Sequence, residues 1–233
     1  MKKRLVVLTG AGMSAESGIS TFRDSGGLWD KYPVEQVATP EGFAANPQLV
    51  LDFYNTRRKE LLNVKPNEGH LGIAALEKDF DVRIITQNVD NLHERAGSSQ
   101  VLHLHGELTK VRSTGDESLI YELPPDKYDV KIGDKCEKGF QLRPHIVWFG
   151  EAVPMFDEAV RTAQSADIFV VIGTSLNVYP AAGLLNYVPK GIPVYLIDPK
   201  EVNTYRNDIR FLKKGASEGV RELTEILRKG LSE

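Results

Sequence analysis

The chain has 233 residues, of which 41% are hydrophobic and 26% charged, and its formal net charge at pH 7 is −3. This is the composition of a globular protein, the length suits one domain with an inserted module, and the weakly acidic balance disfavours a nucleic-acid partner. A single cysteine, Cys136, excludes an internal disulfide, and no apolar stretch is long enough to span a membrane. We therefore expect a cytoplasmic monomer that binds neither nucleic acid nor membrane.

Five short apolar runs rich in Val and Ile predict buried parallel strands. They cover residues 4–9, 82–86, 101–104, 168–172 and 194–197. Helical patterns lie between or after them, at residues 47–63, 70–78, 155–166, 181–187 and 217–228. The alternation predicts an α/β fold, a doubly wound parallel Rossmann-like sheet whose ligand lies beyond the carboxyl ends of the strands.

Two stretches interrupt this alternation and predict a smaller inserted module. Residues 25–68 have the pattern of helix and loop, and residues 108–142 are polar, with β-like pieces at 119–123 and 128–132. We expect residues 1–24, 69–107 and 143–233 to form the Rossmann-like domain, with 25–68 as the helical part and 108–142 as the ribbon part of the small module.

The first strand ends in a G-x-G-x-x-A turn. Gly10 permits the tight turn, Gly12 lets backbone N–H groups approach a phosphate, and Ala15 allows close packing of the following helix. A plain strand-to-helix turn would also fit, because the acidic residue that normally ends the second strand is missing. Asp198, directly after the run 194–197, is the better candidate for the ribose hydroxyls, although a helix-capping role explains it equally well.

Two further polar clusters follow predicted strands and suit a nucleotide. Gln87, Asn88 and Asp90 can hydrogen-bond an amide-bearing ligand, although Asn88 or Asp90 would equally serve as a helix N-cap. A second segment after a strand end offers hydroxyls and N–H groups to phosphate or ribose, or forms a plain turn; it comprises Gly173, Thr174, Ser175 and Asn177.

The segment LHLHGE carries two histidines that share one face if it is a strand. His103 and His105 could bind a metal, but no third ligand of suitable spacing is present. A histidine at a strand end is more often structural than catalytic. Because His105 precedes a glycine at the predicted ligand edge, a proton-transfer role is favoured for it.

In this order, the strings GAGMSAESGISTFR, QNVDNLH, LHGE, RPHIVWFGE and GTSLNVYP resemble the sirtuin family of NAD-dependent protein-lysine deacylases. The resemblance covers roughly residues 4–220. It implies that NAD is a consumed co-substrate, that acylated lysine side chains of proteins are the partners, and that nicotinamide and O-acyl-ADP-ribose are released. It also implies that His105 is the general base on a ribose hydroxyl, and that Asn88 is catalytic and lines the nicotinamide pocket with Asp90.

The resemblance extends to residues that would hold the ligands. Phe22 would shield the reactive carbon from water, and Arg23 would position ribose or phosphate. Strand pairing would hold the substrate peptide on Val147, Phe149, Gly150 and Glu151. The implied NAD-binding set is Gly10, Ala11, Gly12, Ala15, Thr21, Phe22, Arg23, Gln87, Asn88, Asp90, Gly173, Thr174, Ser175, Asn177, Asp198 and Ala216.

Sirtuins usually carry a structural zinc held by two C-x-x-C pairs, and this chain departs from that pattern. The four ligand places align with Ser113, Asp116, Cys136 and Gly139. One thiolate and one carboxylate cannot complete a closed tetrahedral site. We therefore expect no bound zinc and a ribbon held by local packing.

The helical pattern at 47–63 places Tyr54 and Arg57 three residues apart on one face. Outside the family context, a core tyrosine and a solvated arginine would be expected. In the sirtuin subclass that prefers negatively charged acyl groups, a Y-x-x-R pair lies deep in the acyl channel, and a small residue such as Ala38 widens it. The resemblance thus implies removal of succinyl and malonyl groups, with acetyl weaker or comparable.

The same residues also bear on alternative functions. Mono-ADP-ribosyl transfer uses the same NAD cleavage and is not excluded as a side activity. The joint presence of His105, Asn88 and Asp90 argues against a catalytically silent NAD sensor. A dehydrogenase is least favoured, because no hydride-transfer site follows the glycine turn.

Overall fold

The computed structural model describes residues 2–21 and 31–232. At its centre is a six-stranded parallel sheet in the order β3-β2-β1-β7-β8-β9. The strands are β1 (Arg4–Thr9), β2 (Asp81–Thr86), β3 (Val101–His103), β7 (Ile168–Ile172), β8 (Val194–Ile197) and β9 (Ile209–Leu212). The five predicted strands and the α/β fold class are confirmed. The edge strand β9 was missed because its exposed Arg210 and Phe211 interrupt the apolar pattern.

Helices cover both faces of this sheet. They are α1 (Ala11–Ala15), α2 (Val34–Val37), α3 (Pro40–Ala45), α4 (Pro47–Asn63), α5 (Glu68–Ala75), α6 (Leu92–Arg95), α7 (Phe156–Gln164) and α8 (Ala216–Ser232), with 3₁₀ turns at Leu76–Lys78 and Ala181–Asn186. None of the helices in this described part of the chain has both the length and the apolar character needed to cross a bilayer.

Alternate residues of β1 enter two separate cores, as expected of a central strand. Leu5 and Val7 pack with α5 and α8, whereas Val6 and Leu8 pack with α7 and the 3₁₀ turn Ala181–Asn186. This burial on both faces explains why the central strands are continuous apolar runs.

Side-chain caps set where the two helices before β2 begin. Asn46 accepts from Leu49 N (3.1 Å), and Pro47 occupies the first helical position of α4. The Asn67 side chain accepts from Gly69 N and His70 N, while Asn67 N donates to His70 Nδ1. This capping box starts α5 two residues before the predicted position.

A second, antiparallel sheet of three strands has the order β5-β4-β6. Its strands are β4 (Gly106–Ser113), β5 (Ile120–Glu122) and β6 (Leu142–Ile146). β5 lies within the predicted piece 119–123, but the predicted β-like piece 128–132 is wrong. There the backbone of Val130 exchanges two hydrogen bonds with the Asn55 side chain, at 2.9 Å each, instead of pairing with a strand.

Hydrogen bonds connect the positions that carry zinc ligands in sirtuins. The Cys136 thiol donates to Ser113 Oγ (3.3 Å), which also accepts from Asp116 N (3.1 Å). Asp116 forms an ion pair with Lys138 (2.6 Å), and Gly139 N donates to Cys136 O. Across residues 2–21 and 31–232 there is no group of three or more His, Cys, Asp or Glu side chains placed to hold a metal ion.

We predict that the protein purifies with substoichiometric zinc and that EDTA leaves its thermal unfolding midpoint unchanged, since these contacts need no metal. Elemental analysis and calorimetry with and without EDTA check this. Cys136→Ser, which keeps a hydroxyl donor, serves as the control and should behave identically in EDTA. One tightly held zinc per chain, or a lower midpoint in EDTA, would contradict the prediction.

Candidate active site

The site lies at the point in the parallel sheet where the order of the strands reverses. β1 and β7 are neighbours, yet β1 is flanked by β2 on its other side and β7 by β8. In doubly wound sheets, ligands bind beyond the carboxyl ends of the strands at such a switch point. A cavity of about 730 Å³ lies there, lined by both strand-to-helix turns and by residues from α4 and the loop after β6.

The turns after β1 and β7 touch through their glycines. Gly12 N donates to Gly173 O (2.8 Å), and a Cβ on Gly12 would lie 2.7 Å from Gly173 Cα. Gly173 has φ +62°, and a Cβ there would lie 2.3 Å from Met13 N. Glycine is therefore required at both positions by packing as well as by room for a ligand.

Most of the predicted ligand-binding residues line this one cavity. The NAD-binding candidates among them are Gly10, Ala11, Gly12, Ala15, Thr21, Gln87, Asn88, Gly173, Thr174, Ser175, Asn177 and Asp198, and His105 joins them. The substrate candidates among them are Ala38, Tyr54, Arg57, Val147, Phe149, Gly150 and Glu151. The cavity thus brings together predicted residues from eight separate segments of the chain.

Among the described residues, two predicted NAD-binding positions, Asp90 and Ala216, do not line this cavity. Phe22 and Arg23 fall outside the described residues. Ala216 is buried, 4% exposed, at the start of α8, and its neighbour Gly215 lines the cavity instead.

Asp90 lines a second cavity of about 330 Å³, which shares Asn88 and Arg57 with the first. Its Oδ2 accepts from Ser14 Oγ (2.9 Å), and its Oδ1 accepts from Leu92 N (3.1 Å) at the start of α6. Asn88 Nδ2 donates to Gly10 O and Ser14 Oγ. Asp90 therefore supports the start of a helix and lines a pocket at once. Ser14 was missed, although it lies within the glycine-turn string.

Two buried histidines lie behind Ser14. His70 Nε2 is 3.4 Å from Ser14 Oγ, His93 Nε2 is 3.2 Å from Thr9 Oγ1, and the two rings are 4.8 Å apart. Burial lowers the pKa of His70 to about 4 and the pKa of His93 well below its usual value. Both side chains are therefore neutral at pH 7.

His105 is a base in the correct state for proton transfer. Its Nδ1 lies 3.1 Å from Gln87 O, and because a carbonyl only accepts, Nδ1 carries the hydrogen and Nε2 keeps its lone pair. Burial lowers the pKa of His105, although the bond to the Gln87 carbonyl opposes the shift. A neutral His105 thus lines the cavity.

His103 has a pKa that shifts in the opposite direction to that of His105. Its Nε2 pairs with Glu94 (2.8 Å) and its Nδ1 is 3.0 Å from Asn88 O. Burial works to lower the pKa of His103, but the pairing with Glu94 outweighs it and raises the pKa. With both ring nitrogens engaged, His103 is bound into the protein and does not act with His105 as a metal-binding pair.

Asp198 accepts from Lys200 N (2.9 Å) and lines the cavity at the end of β8. Asp198 therefore supports a turn rather than a helix start, and its role toward ribose hydroxyls stays a prediction.

Buried polar groups form the far end of the cavity. Tyr54 is 4% and Arg57 6% exposed, and Tyr54 OH accepts from Trp148 Nε1 (2.9 Å). Burial raises the pKa of Tyr54 to about 12, so the phenol stays protonated. Phe149 N donates to Ala38 O (3.0 Å), which joins the loop after β6 to the wall at Ala38.

Glu151 binds within the protein. Its carboxylate accepts from Arg143 Nη1 (2.6 Å), Arg112 Nη2 (3.0 Å) and Trp148 N (2.8 Å). These bonds shape the loop 147–151, so any effect of Glu151 on a peptide acts through that loop.

Apolar lining residues were the main omission of the sequence prediction. They include Phe53, Val89, Ile146, Trp148 and Val153. Each stands next to a predicted site residue or one turn away from it, so only proximity along the chain could have indicated them.

A cavity at the switch point of a doubly wound sheet, a neutral histidine and buried polar groups in the cavity wall together define a nucleotide-dependent enzyme of the Rossmann-like class. The Sir2 family model matches residues 10–180, and the chain belongs to the Sir2 family.

Known proteins are similar to this chain over nearly its whole length. An NAD-dependent protein deacylase of Bacteroides thetaiotaomicron is 69% identical over 229 residues, covering 97% of this chain and 98% of the relative. A solved Sir2 homologue mutant in complex with ADP-ribose has 42% identity and a TM-score of 0.90, covering 99% of this chain and 94% of that one. A Sir2 homologue–NAD complex has 42% identity and a TM-score of 0.86, covering 99% and 91%.

We predict that acid destabilises the fold through His70. The pKa of His70 in the folded protein is about 4, well below the usual histidine value of 6.5. Between these pH values the unfolded chain binds a proton at His70 that the folded chain does not bind. The contribution is complete above pH 6.5 and is lost as pH falls toward 4, by up to about 3 kcal/mol. Urea unfolding between these pH values measures it.

In His70→Asn the decline in unfolding free energy with falling pH should be shallower. His103→Asn is the control: the pKa of His103 is raised, so its pH-dependent contribution develops above pH 6.5, and its removal should leave the decline between pH 6.5 and 4 unchanged. A His70→Asn slope equal to that of the original protein would refute the assignment.

Proposed function

We propose that this protein is an NAD-dependent protein-lysine deacylase. The carrying observation is that a neutral His105, with Nε2 available, lines a nucleotide-sized cavity at the switch point of the sheet. The similarity to a protein named NAD-dependent protein deacylase supports the reaction. We further propose that the chain acts as a cytoplasmic monomer on acylated lysine side chains.

NAD fits the cavity by the chemistry of its walls. The paired glycine turns leave room for a pyrophosphate, Asp198 can accept from ribose hydroxyls, and Asn88 and Asp90 stand at the pocket for the nicotinamide amide. Phe22 and Arg23 are proposed to cover the ligand. NAD would supply an electrophilic ribose carbon whose leaving group is nicotinamide.

In this proposal the acyl oxygen of the modified lysine displaces nicotinamide from that carbon. His105 Nε2 then takes the proton of a ribose hydroxyl, whose oxygen attacks the acyl carbon. Release of the lysine amine and addition of water at the acyl carbon complete the transfer. The products are therefore lysine, nicotinamide and O-acyl-ADP-ribose. The small module, residues 25–68 and 108–142, would provide the acyl channel, and the loop 147–151 would hold the peptide by strand pairing.

We also propose that acidic acyl groups, succinyl and malonyl, are preferred. The buried pair Tyr54 and Arg57 lines the cavity, and the guanidinium groups of Arg57, Arg143 and Arg58 all act electrostatically on Tyr54. A guanidinium and a phenol OH suit a carboxylate, and an acetyl group offers none.

We predict that Arg57→Met lowers the ratio of kcat/KM for a succinyl peptide over the matched acetyl peptide. A hydrogen bond to a charged group is worth about 1.5–3 kcal/mol, so the ratio should fall about 10- to 150-fold. Arg58→Met is the matched control, because Arg58 donates to Leu108 O and Asn55 Oδ1 and does not line the cavity. An unchanged ratio in Arg57→Met would refute the acidic preference.

We predict that His105→Asn slows deacylation by about 10²–10⁴ through loss of the general base. Exchange of labelled nicotinamide into NAD should persist with acyl peptide present, because that step precedes proton transfer to His105. Mass spectrometry follows both products, and His103→Asn is the control. Full deacylation in His105→Asn, or ADP-ribosylated protein in place of O-acyl-ADP-ribose, would count against the proposed reaction.

A further inference from the structure

The indole of Trp148 lines the cavity beside Tyr54. It is 2% exposed, and its Nε1 donates to Tyr54 OH over 2.9 Å. The guanidinium carbon of Arg143 lies 3.3 Å from the centroid of the Trp148 ring, and the Phe43 ring lies 5.4 Å away. The indole is therefore held by contacts to other side chains as well as by the hydrogen bond.

Its backbone is held as well. Trp148 N donates to Glu151 Oε2 (2.8 Å), and Glu151 is paired with Arg143 (2.6 Å). Arg143 thus fixes Trp148 through its ring and, through Glu151, through its backbone. The N–H of the indole has one direction available, toward Tyr54.

The direction of this hydrogen bond determines what Tyr54 can do. An indole N–H only donates, so the Tyr54 oxygen must be the acceptor. Burial keeps the phenol protonated by raising its pKa to about 12. Among the described residues, no acceptor lies within hydrogen-bond distance of the Tyr54 hydroxyl hydrogen. That hydrogen is consequently available to a ligand in the channel.

We propose that Trp148 is a positioning residue for acyl selectivity: by donating to the Tyr54 oxygen it presents the phenolic hydrogen, beside Arg57, to the carboxylate of an acidic acyl group. This inference rests on the proposed preference for such groups and adds the residue that orients its neutral donor. A donated hydrogen bond also polarises the phenol, which makes it a better donor in turn. An acetyl group has no carboxylate, so Trp148 should matter little for it.

A double-mutant cycle tests this. Original protein, Trp148→Phe, Tyr54→Phe and the double variant are assayed for kcat and KM on matched succinyl and acetyl peptides. Trp148→Phe should lower the succinyl/acetyl ratio of kcat/KM about two- to tenfold, mainly through KM for the succinyl peptide. In the Tyr54→Phe background the same change should leave the ratio as it is, since the indole acts through the phenol.

Phe43→Leu is the control, because Phe43 contacts the same ring without a hydrogen bond; its ratio should not change. If Trp148→Phe is poorly folded by calorimetry, benzothienylalanine at position 148 removes the N–H and keeps the shape. An unchanged ratio, equal losses on both peptides, or equal effects in both backgrounds would overturn the inference. Arg57→Met distinguishes a failure of the proposed acidic preference from a failure of the inference about Trp148. If Arg57→Met shifts the ratio while Trp148→Phe does not, only the inference about Trp148 fails.

Discussion

The contact between Gly12 and Gly173 sets the geometry on which the site depends. Neighbouring parallel strands place the turns after β1 and β7 side by side, and only hydrogen atoms at both Cα positions allow the turns to touch. The contact fixes the part of the cavity wall that lies between β1 and β7, two strands that are buried on both faces. The loops after β2 and β3, which carry the proposed catalytic residues, are then placed relative to a rigid base.

The sequence predicted every strand of the parallel sheet except the edge strand β9, because the central strands are buried on both faces and are therefore apolar throughout. It was insufficient for the small sheet. β4 and β6 mix buried arginines with apolar residues, since Arg112 and Arg143 are buried against Glu151, so no alternation marks them as strands. The incorrectly predicted strand at 128–132 has a different cause. The side chain of Asn55 on α4 takes both backbone hydrogen bonds of Val130, so this segment does not pair with a strand there.

The site was predictable where it is made of short polar strings at strand ends, because parallel strands bring these ends to one edge. Single-sequence patterns do not reveal the layer behind them. Ser14, His70 and His93 come from separate segments, and their buried network exists only after folding. The same holds for Trp148, whose hydrogen-bond partner Tyr54 lies 94 residues away along the chain. The opposite pKa shifts of His103 and His105 also follow from their partners, not from their shared motif.

The loop that ends at Glu151 carries one further consequence. Its carboxylate is shared by two guanidinium groups, each on a different strand of the small sheet, and all three side chains are largely buried. Loss of one member of a buried ion pair costs about 3–5 kcal/mol, far more than a neutral exchange of the whole set. Positions 112, 143 and 151 are thus expected to vary together among descendants of this sequence, as one inherited unit.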